Sequence, residues 1–585
     1  MKSVLLQVFC ALFSGIIEGA AIPNELFLHG SPLLALFSAV PLYTALYRAK
    51  SYRESFLLFF IQTLTVHLIS SFWLANFRDF ALFTLGASAV GTACEGGIVG
   101  IIFHALPSLY SRTEVLQETA GKRAFASPAR ILWFASCMLA YEWFKSIGFL
   151  AYPWGTLFLA AAKWRIFTQI ASLTGVWGVT FLYALAGALT GEGFLLLSRH
   201  TVPQAAAQSY RSAARLTAAV WALAALYGLY QYFLPRQVEK TIHTVAVQQN
   251  LDPWEGGEEK SLEVSMRLTE QAVRETREKE QDVDLVLWSE GVLGRSFPDA
   301  RFHYQHAPEG ESLSDFIRRM GAPFIIGGQT RIHRAKRHYS NSAIFYDKAG
   351  NYAGFYSKIH LVPFAEAIPF ADSPLIQYLM EQMVGFSSGW TSGSQYTLFR
   401  VPVGNGKFQD CPVEYKRAAS PVVSLDATGT ADPDVTEAFT EGGQDNPDGF
   451  VTFSVPICFE DAFADVCTPL FNLGTEVFMN ITNDAWSHTA SAEYQHYAIA
   501  GYRAIEYRTT LVRATNSGYT VVLDPAGKVL ADLPLFTEAA LSYPVPVYAH
   551  RPTVYSRLGD WLPYTVFVLM GLYGILLIRR VRRED

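Results

Sequence analysis

Between residues 4 and 234 the chain carries seven long apolar stretches, near 4–21, 31–47, 55–76, 83–106, 129–150, 166–197 and 215–234. Most approach the ~20 residues that a helix needs to cross a hydrocarbon core of ~30 Å. Inside a bilayer every backbone polar group must find its partner within the protein, which limits such stretches to helices. Residues 1–235 are therefore expected to form a transmembrane domain of seven helices. The 166–197 stretch is longer than one crossing and is expected to tilt or to extend beyond the bilayer.

The loops set the orientation. Met1–Lys2, the loop with Arg48, Lys50 and Arg53, the 107–128 loop with Arg112, Lys122 and Arg123, and the 198–214 loop with Arg199 and Arg211 are basic. The loops between them are poorer in positive charge, with Lys163 and Arg165 as the exception. By the positive-inside rule the N-terminus is cytoplasmic, and seven crossings leave residue 236 outside. An eighth span at 561–578 returns the chain to the cytoplasm, where Arg579, Arg580, Arg582 and Arg583 belong. The first span would also read as a cleaved signal peptide, with small residues at 19–21, but Glu18 beside that site favours retention. Cys10 does not sit in a lipobox, because bulky Phe9 precedes it.

Residues 240–547 have another character. HTVAVQQNL, DLVLWSE, PFIIGGQT, SAIFYD, VTFSVPIC, VFMNITND and YTVVLD are short runs rich in β-branched and aromatic residues. Amphipathic stretches such as Lys260–Lys279 and Glu493–Tyr507 separate several of them. Strands alternating with helices predict an α/β layered domain, and without a 20-residue apolar run it should lie outside the membrane. Residues 404–450 interrupt it with Gly, Pro, Thr and nine acids, a composition that predicts a flexible insertion. Cys411 lies within it and has no readable role.

One apolar run of this domain ends on Cys458, followed by Phe459 and Glu460. A strand that stops on a nucleophile can hold it in an exposed turn, with the next N–H groups facing a developing oxyanion. Two earlier segments offer a base and a cation: VDLVLWSEG ends on Glu290, and GFYSKIHLVPFAEAIPF carries Lys358 and Glu366. A thiol needs help to become a thiolate, so Glu290 is the expected general base. Lys358 and the backbone N–H of Phe459 would then hold the oxyanion. Taken singly, Cys458 would be a small buried hydrophobe, and Glu290 with Lys358 an ordinary salt bridge. His360 has no zinc-type partner at i+3 or i+4 and is expected to be packed. Asn483–Trp486 is expected to shape a turn beside the site.

WSEG, YSKIHLVPFAE and PICFEDAF, in the order Glu, Lys, Cys, resemble the nitrilase superfamily of carbon-nitrogen hydrolases. With residues 480–520 and RPTVYSRLGDW, the pattern resembles its membrane-bound branch, the apolipoprotein N-acyltransferases. The resemblance implies an αββα sandwich for 240–547 and a catalytic triad of Glu290, Lys358 and Cys458. It implies an acid close to the triad at Glu366 and another directly after the nucleophile at Glu460, and substrate contacts for Trp254 and for Trp154 in the Tyr152–Trp154 turn. It also implies that an acyl chain passes from a membrane phospholipid to Cys458. The α-amine of a diacylglyceryl-cysteine apolipoprotein would then accept it, at the periplasmic face of the bacterial inner membrane. The family passes more directly through 404–450, so the insertion is a departure.

No cofactor is expected, and the chain is expected to act as a monomer. The six cysteines show neither CxxC nor zinc-ligand spacing, which indicates neither a metal site nor a disulfide framework. A net charge of −6 gives no reason to expect nucleic acid. Two other readings remain at this stage: a membrane-bound amidase in which water takes the acyl group, and a transporter or receptor with an outer sensory domain. Against the latter, few charges fall within the spans; Glu18, Glu95 and Glu142 are the ones to place.

Overall fold

A computed structural model describes residues 2–584 except 78–81, 119–126, 199–201, 203, 253, 308–309, 334–337, 364, 368–372, 376–377, 379–388, 404–412 and 418–448. The chain divides into two compact units, residues 1–234 with 557–585, and residues 235–556.

The first unit is helical. Among the described residues, four of its helices are long and apolar enough to cross a membrane: Val4–Ala21, Thr84–Ala105, Val176–Leu197 and Gln204–Phe233. Pro32–Leu46 and Trp561–Leu576 are shorter apolar helices. The helices Tyr52–Ser70 and Ser127–Lys145 carry polar groups into the interior of the unit instead. In the second of these, Glu142 accepts from the Leu157 N–H at 2.6 Å, and the Lys145 ammonium donates to the Trp154 and Gly155 carbonyls at 2.8 and 3.0 Å. Glu18 meets the Gln62 amide at 3.0 Å, and Glu192 gathers Tyr43, Ser127 and Arg130. Buried ionisable groups with named partners are the form in which such residues persist inside a helical membrane unit.

The 166–197 stretch is not one continuous helix. Short turns at Arg165–Thr168 and Ala171–Thr174 precede Gly175, whose φ of +64° ends the run, and the long helix starts at Val176. The closing helix Trp561–Glu584 is fixed by its first turn. Asp560 accepts the indole N–H groups of Trp143 at 2.8 Å and Trp177 at 2.7 Å, and the Trp561 indole donates to the Leu173 carbonyl at 2.7 Å.

The second unit holds two seven-stranded sheets. In chain order the strands are β1 (Val238–Gln248), β2 (Leu285–Trp288), β3 (Ser296–Phe297), β4 (Phe324–His333), β5 (His338–Tyr346), β6 (Tyr352–Ser357) and β7 (Gln395–Pro402). They continue as β8 (Val413–Arg417), β9 (Phe450–Ser454), β10 (Val477–Thr482), β11 (Thr510–Thr515), β12 (Val521–Leu523), β13 (Val529–Asp532) and β14 (Ala539–Tyr548). One sheet runs β14-β1-β2-β4-β5-β6 with β3 also beside β4, and the other runs β13-β12-β11-β10-β9-β7-β8. β1, β2 and β4 are parallel, as are β9, β10 and β11. Parallel strands covered on both faces lose the alternation of polar and apolar residues, and every residue of β2, β9, β10 and β11 is buried.

The sheets stack face to face. Phe345 of β5 lies 5.2 Å from the Phe399 ring of β7 and 6.4 Å from Phe453 of β9. The outer face of the first sheet is covered by the helices Gly257–Arg277 and Leu313–Met320, through Val264, Leu268, Phe316 and Ile317 onto Val247, Trp288 and Phe324. Ala464–Asn472 and Ala490–Tyr507 pack with the second sheet. The expected αββα layering is therefore present in this unit. Within the 404–450 insertion, Val413–Arg417 pairs antiparallel with β7, so that part is an edge strand and not a solvated loop. The rest of the insertion, Cys411 included, lies outside the described residues.

Candidate active site

The site collects at the carboxyl ends of strands, where open parallel sheets present their loops. β2 is followed by Ser289 and Glu290, and the chain then turns through Gly291 at a φ of +80°. Neighbouring β4 comes so close that a Cβ on Gly327 would stand 2.6 Å from the Gly291 nitrogen, and closer still to the Ser289 oxygen and Glu290 Cα. Only glycine fits there. β6 leads directly into Lys358, whose N–H donates to the Asn341 carbonyl of β5 at 2.8 Å. β9 continues through a single parallel bridge between Ile457 and Ile481, and then delivers Cys458 at a φ of +50°. A left-handed backbone costs a residue with a Cβ about 1–2 kcal/mol, and such strain concentrates where a nucleophile must be held out of its strand.

Three buried side chains, Lys358, Glu290 and Asn341, meet the partly buried Glu366 between these ends. The Lys358 ammonium lies 2.9 Å from the Glu366 carboxylate and 3.4 Å from Glu290. The Asn341 amide donates to both acids, at 2.6 Å to Glu290 and 2.9 Å to Glu366. The second oxygen of Glu290 accepts the Asn483 N–H at 2.9 Å, and that of Glu366 accepts the Val362 N–H at 2.8 Å. Burial works against the Lys358 ammonium, yet Glu366 and Glu290 hold its pKa well above the ordinary lysine value. Burial raises the Glu290 carboxyl above its ordinary 4.5, with Lys358 opposing and Glu366 reinforcing. Glu366 is the closer neutraliser of the lysine, so Glu290 retains basicity that a plain salt bridge would remove.

Cys458 sits beside this cluster. Burial pushes its thiol well above the usual range, Glu290 adds to the effect, and Lys358 pulls the other way. The resting thiol is therefore protonated, and a base must take its proton. Glu290 is near enough to sense the thiol and is the acid with raised basicity. The arrangement brings together a thiol, a carboxyl of raised basicity and a fixed cation, the kinds of group that acyl chemistry at a thiol requires.

Glu460 does different work. One oxygen accepts the Tyr356 hydroxyl at 2.8 Å and the N–H groups of Ile359 at 2.7 Å and His360 at 3.0 Å; the other accepts the Ile457 N–H at 2.8 Å. It ties the segment after Lys358 to the residue before Cys458, with both oxygens engaged. Burial lifts its pKa to about 7 against the pull of these donors. Phe459 is buried, with its ring 4.6 Å from Phe463 and 5.5 Å from His360. His360 is packed as expected, stacked 3.8 Å from Phe463, with burial lowering its pKa to about 3.

The substrate candidates fall in different units. Trp254 stands 48% exposed in the loop after β1, beside a cavity of about 160 Å³ lined by Gln249, Glu258, Ser289, Glu290, Asn483 and Asn516. Trp154 belongs to the helical unit, buried against Trp73 and Tyr152. Sequence reasoning missed Asn341, because a polar residue at a buried strand position looks like ordinary alternation. It also gave the 483–486 turn no chemical part. Asn483 in fact donates to Glu290, and an Asp484 carboxylate oxygen lies 4.0 Å from the Cys458 sulfur.

Comparison with known proteins places these features. Residues 244–547 match the carbon-nitrogen hydrolase family and residues 14–189 the apolipoprotein N-acyltransferase N-terminal domain. The chain is 36% identical over 579 residues to apolipoprotein N-acyltransferase 2 of Treponema denticola, covering 98% of each chain. It is 36% identical over 595 residues to apolipoprotein N-acyltransferase 2 of Treponema pallidum, covering 98% of this chain and 95% of the relative. To the apolipoprotein N-acyltransferase of Borreliella burgdorferi it is 27% identical over 581 residues, covering 99% of this chain and 97% of the relative.

The close approach of Gly327 yields a test. Gly327→Ala must displace the Glu290 backbone, and a misplacement near 1 Å costs catalysis about 100-fold. Gly328→Ala, whose methyl would meet the Leu293 Cβ at 3.0 Å, serves as the control and should keep most activity. Turnover assays on both variants, with circular dichroism to confirm folding, check the difference; equal activities would contradict it.

Proposed function

The chain belongs to the family of apolipoprotein N-acyltransferases, and on that premise we propose a two-step acyl transfer run by Glu290, Lys358 and Cys458. The observation that carries this reading is the convergence of the three groups from the ends of β2, β6 and β9, with the base and the cation buried 3.4 Å apart.

In the first step Glu290 takes the thiol proton and the Cys458 thiolate attacks the ester carbonyl of a membrane phospholipid. The oxyanion that forms is stabilised by the Lys358 ammonium and the Phe459 N–H. Collapse breaks the ester C–O bond, Glu290 returns the proton to the leaving alkoxide, and a lyso-phospholipid departs. The acyl group remains as a thioester on Cys458. In the second step the free α-amine of a diacylglyceryl-cysteine apolipoprotein attacks the thioester, and Glu290 accepts a proton from the amine. The C–S bond breaks, the thiol is restored and an amide is formed. Glu366 keeps Lys358 in place as a cation, and Glu460 holds the Lys358 segment against the Cys458 turn.

Both substrates are lipids, which suits a catalytic unit joined to membrane helices. The family resemblance supports substrate contacts for Trp254, exposed in the loop after β1, and for Trp154 of the helical unit. The basic loops support a cytoplasmic N-terminus and a periplasmic position for residues 240–547 at the inner membrane, with seven spans before that unit and one after it.

The fate of the thioester distinguishes transfer from hydrolysis. Phospholipid alone should release about one equivalent of lyso-phospholipid and leave a persistent acyl-enzyme, as in the first half of a ping-pong reaction. A diacylated lipopeptide with a free α-amine should then discharge it to an N-acylated peptide, whereas an N-acetylated lipopeptide should not. Steady release of free fatty acid, unchanged by lipopeptide, would make water the acceptor. The orientation is tested by labelling in a cysteine-free background: a cysteine at 300 should react from outside and one at 120 only from the cytoplasm. Reaction at 300 from the cytoplasm alone would overturn the assignment.

A further inference from the structure

An ion cluster that the transfer above does not use stands behind Cys458. His496, in the helix Ala490–Tyr507, is buried between two acids. Its Nδ1 lies 2.7 Å from Asp484, in the loop after β10, and its Nε2 lies 2.9 Å from Asp461, in the turn that Cys458 opens. A ring with a carboxylate at each nitrogen donates from both, which only the imidazolium can do. Burial opposes that charge, but Asp484 and Asp461 bring the His496 pKa up to about 9. Arg513 of β11 completes the cluster, 2.6 Å from Asp461 and 3.7 Å from Asp484. Glu493 faces it from the same helix as His496. Burial and the neighbouring Asp484 push its carboxyl far up, and it accepts the Ser487 hydroxyl at 3.0 Å. Asp461 and Asp484 thus face two basic side chains, His496 and Arg513.

The balance bears on the nucleophile, because the thiol faces two carboxylates. Asp484 has an oxygen 4.0 Å from the sulfur, and Glu290 stands in the triad. The two have moved in opposite directions. Burial raises Glu290, whereas Asp484, although burial acts on it too, is lowered by His496 and Arg513. We propose that His496 is a positioning residue for the acyl transfer, whose imidazolium contains the charge of the bystander Asp484 so that the Cys458 proton passes to Glu290 and the thiolate is not opposed by an uncompensated anion. The inference rests on the triad reading for its importance, but thiol ionisation can be followed without any lipid.

The experiment uses the full-length protein in detergent with Cys458 as its single cysteine, alkylated by iodoacetamide across pH. His496→Gln leaves Asp484 with Arg513 alone. It should raise the apparent thiol pKa by about one unit and slow alkylation about tenfold at fixed pH below it. In phospholipid turnover it should lower kcat of the first half-reaction and leave KM unchanged. Adding Asp484→Asn to His496→Gln removes the charge that needed containing and should restore alkylation to within about threefold of the parent, under one pKa unit. A His496→Gln protein that alkylates like the parent, or a folded double variant that stays slow, overturns the proposal. Where His496→Gln alone does not accumulate, Asp484→Asn is compared with the double variant. The proposal requires equal rates, and a further loss in the double contradicts it. A failure of the lipid discharge experiment with this pattern intact would instead revise the acceptor.

Discussion

A single buried carboxylate joins the two sheets at the place where chemistry occurs. Glu460 accepts from Tyr356 at the end of β6, from the two N–H groups that follow Lys358, and from the N–H that precedes Cys458. β6 belongs to one sheet and β9 to the other, so the bond set fixes Lys358 of one layer against Cys458 of the other. Removing the carboxylate would leave three backbone donors and a phenol buried without an acceptor, each costing about 1–3 kcal/mol. The separation of Lys358 and Cys458 is in this sense a property of Glu460.

From that tie the electrostatics follow. Burial alone would neutralise every ionisable group in the pocket. Lys358 stays charged because two acids face it, and of these Glu366 is nearer. On the other side of Cys458 the opposite arrangement holds: two cations contain Asp484 and Asp461. The thiol thus lies between a carboxylate made more basic and one made less so.

Much of this was legible in the sequence, and the reason is local. Glu290, Lys358 and Cys458 each end an apolar run, so the pattern that predicts a strand also predicts where its loop presents a side chain. Glu460 could be named but not understood, because three of its four partners come from a segment about 100 residues away in the chain. Asn341 and the His496 cluster were hidden for a related reason. The helix Ala490–Tyr507 looks amphipathic, yet its polar residues are buried, and His496 is held by ion pairs to Asp461 and Asp484 that sequence spacing does not reveal. In the helical unit, averaged hydropathy made 166–197 one stretch, whereas the φ of a single residue, Gly175, divides it. The same averaging counted Ser127–Lys145 as a plain span, although Glu142 and Lys145 turn inward to hold the loops at Leu157 and at Trp154 and Gly155.

The central claim is that Cys458 carries the acyl group. Its most direct test is the mass of the Cys458 peptide after the purified enzyme is incubated with a phospholipid bearing one defined acyl chain and quenched at low pH. The account predicts an increment equal to that chain in thioester linkage, cleaved by neutral hydroxylamine, present on this peptide and missing from Cys458→Ala. An unmodified Cys458 peptide from an enzyme that still transfers acyl chains, or transfer by Cys458→Ala, would contradict it.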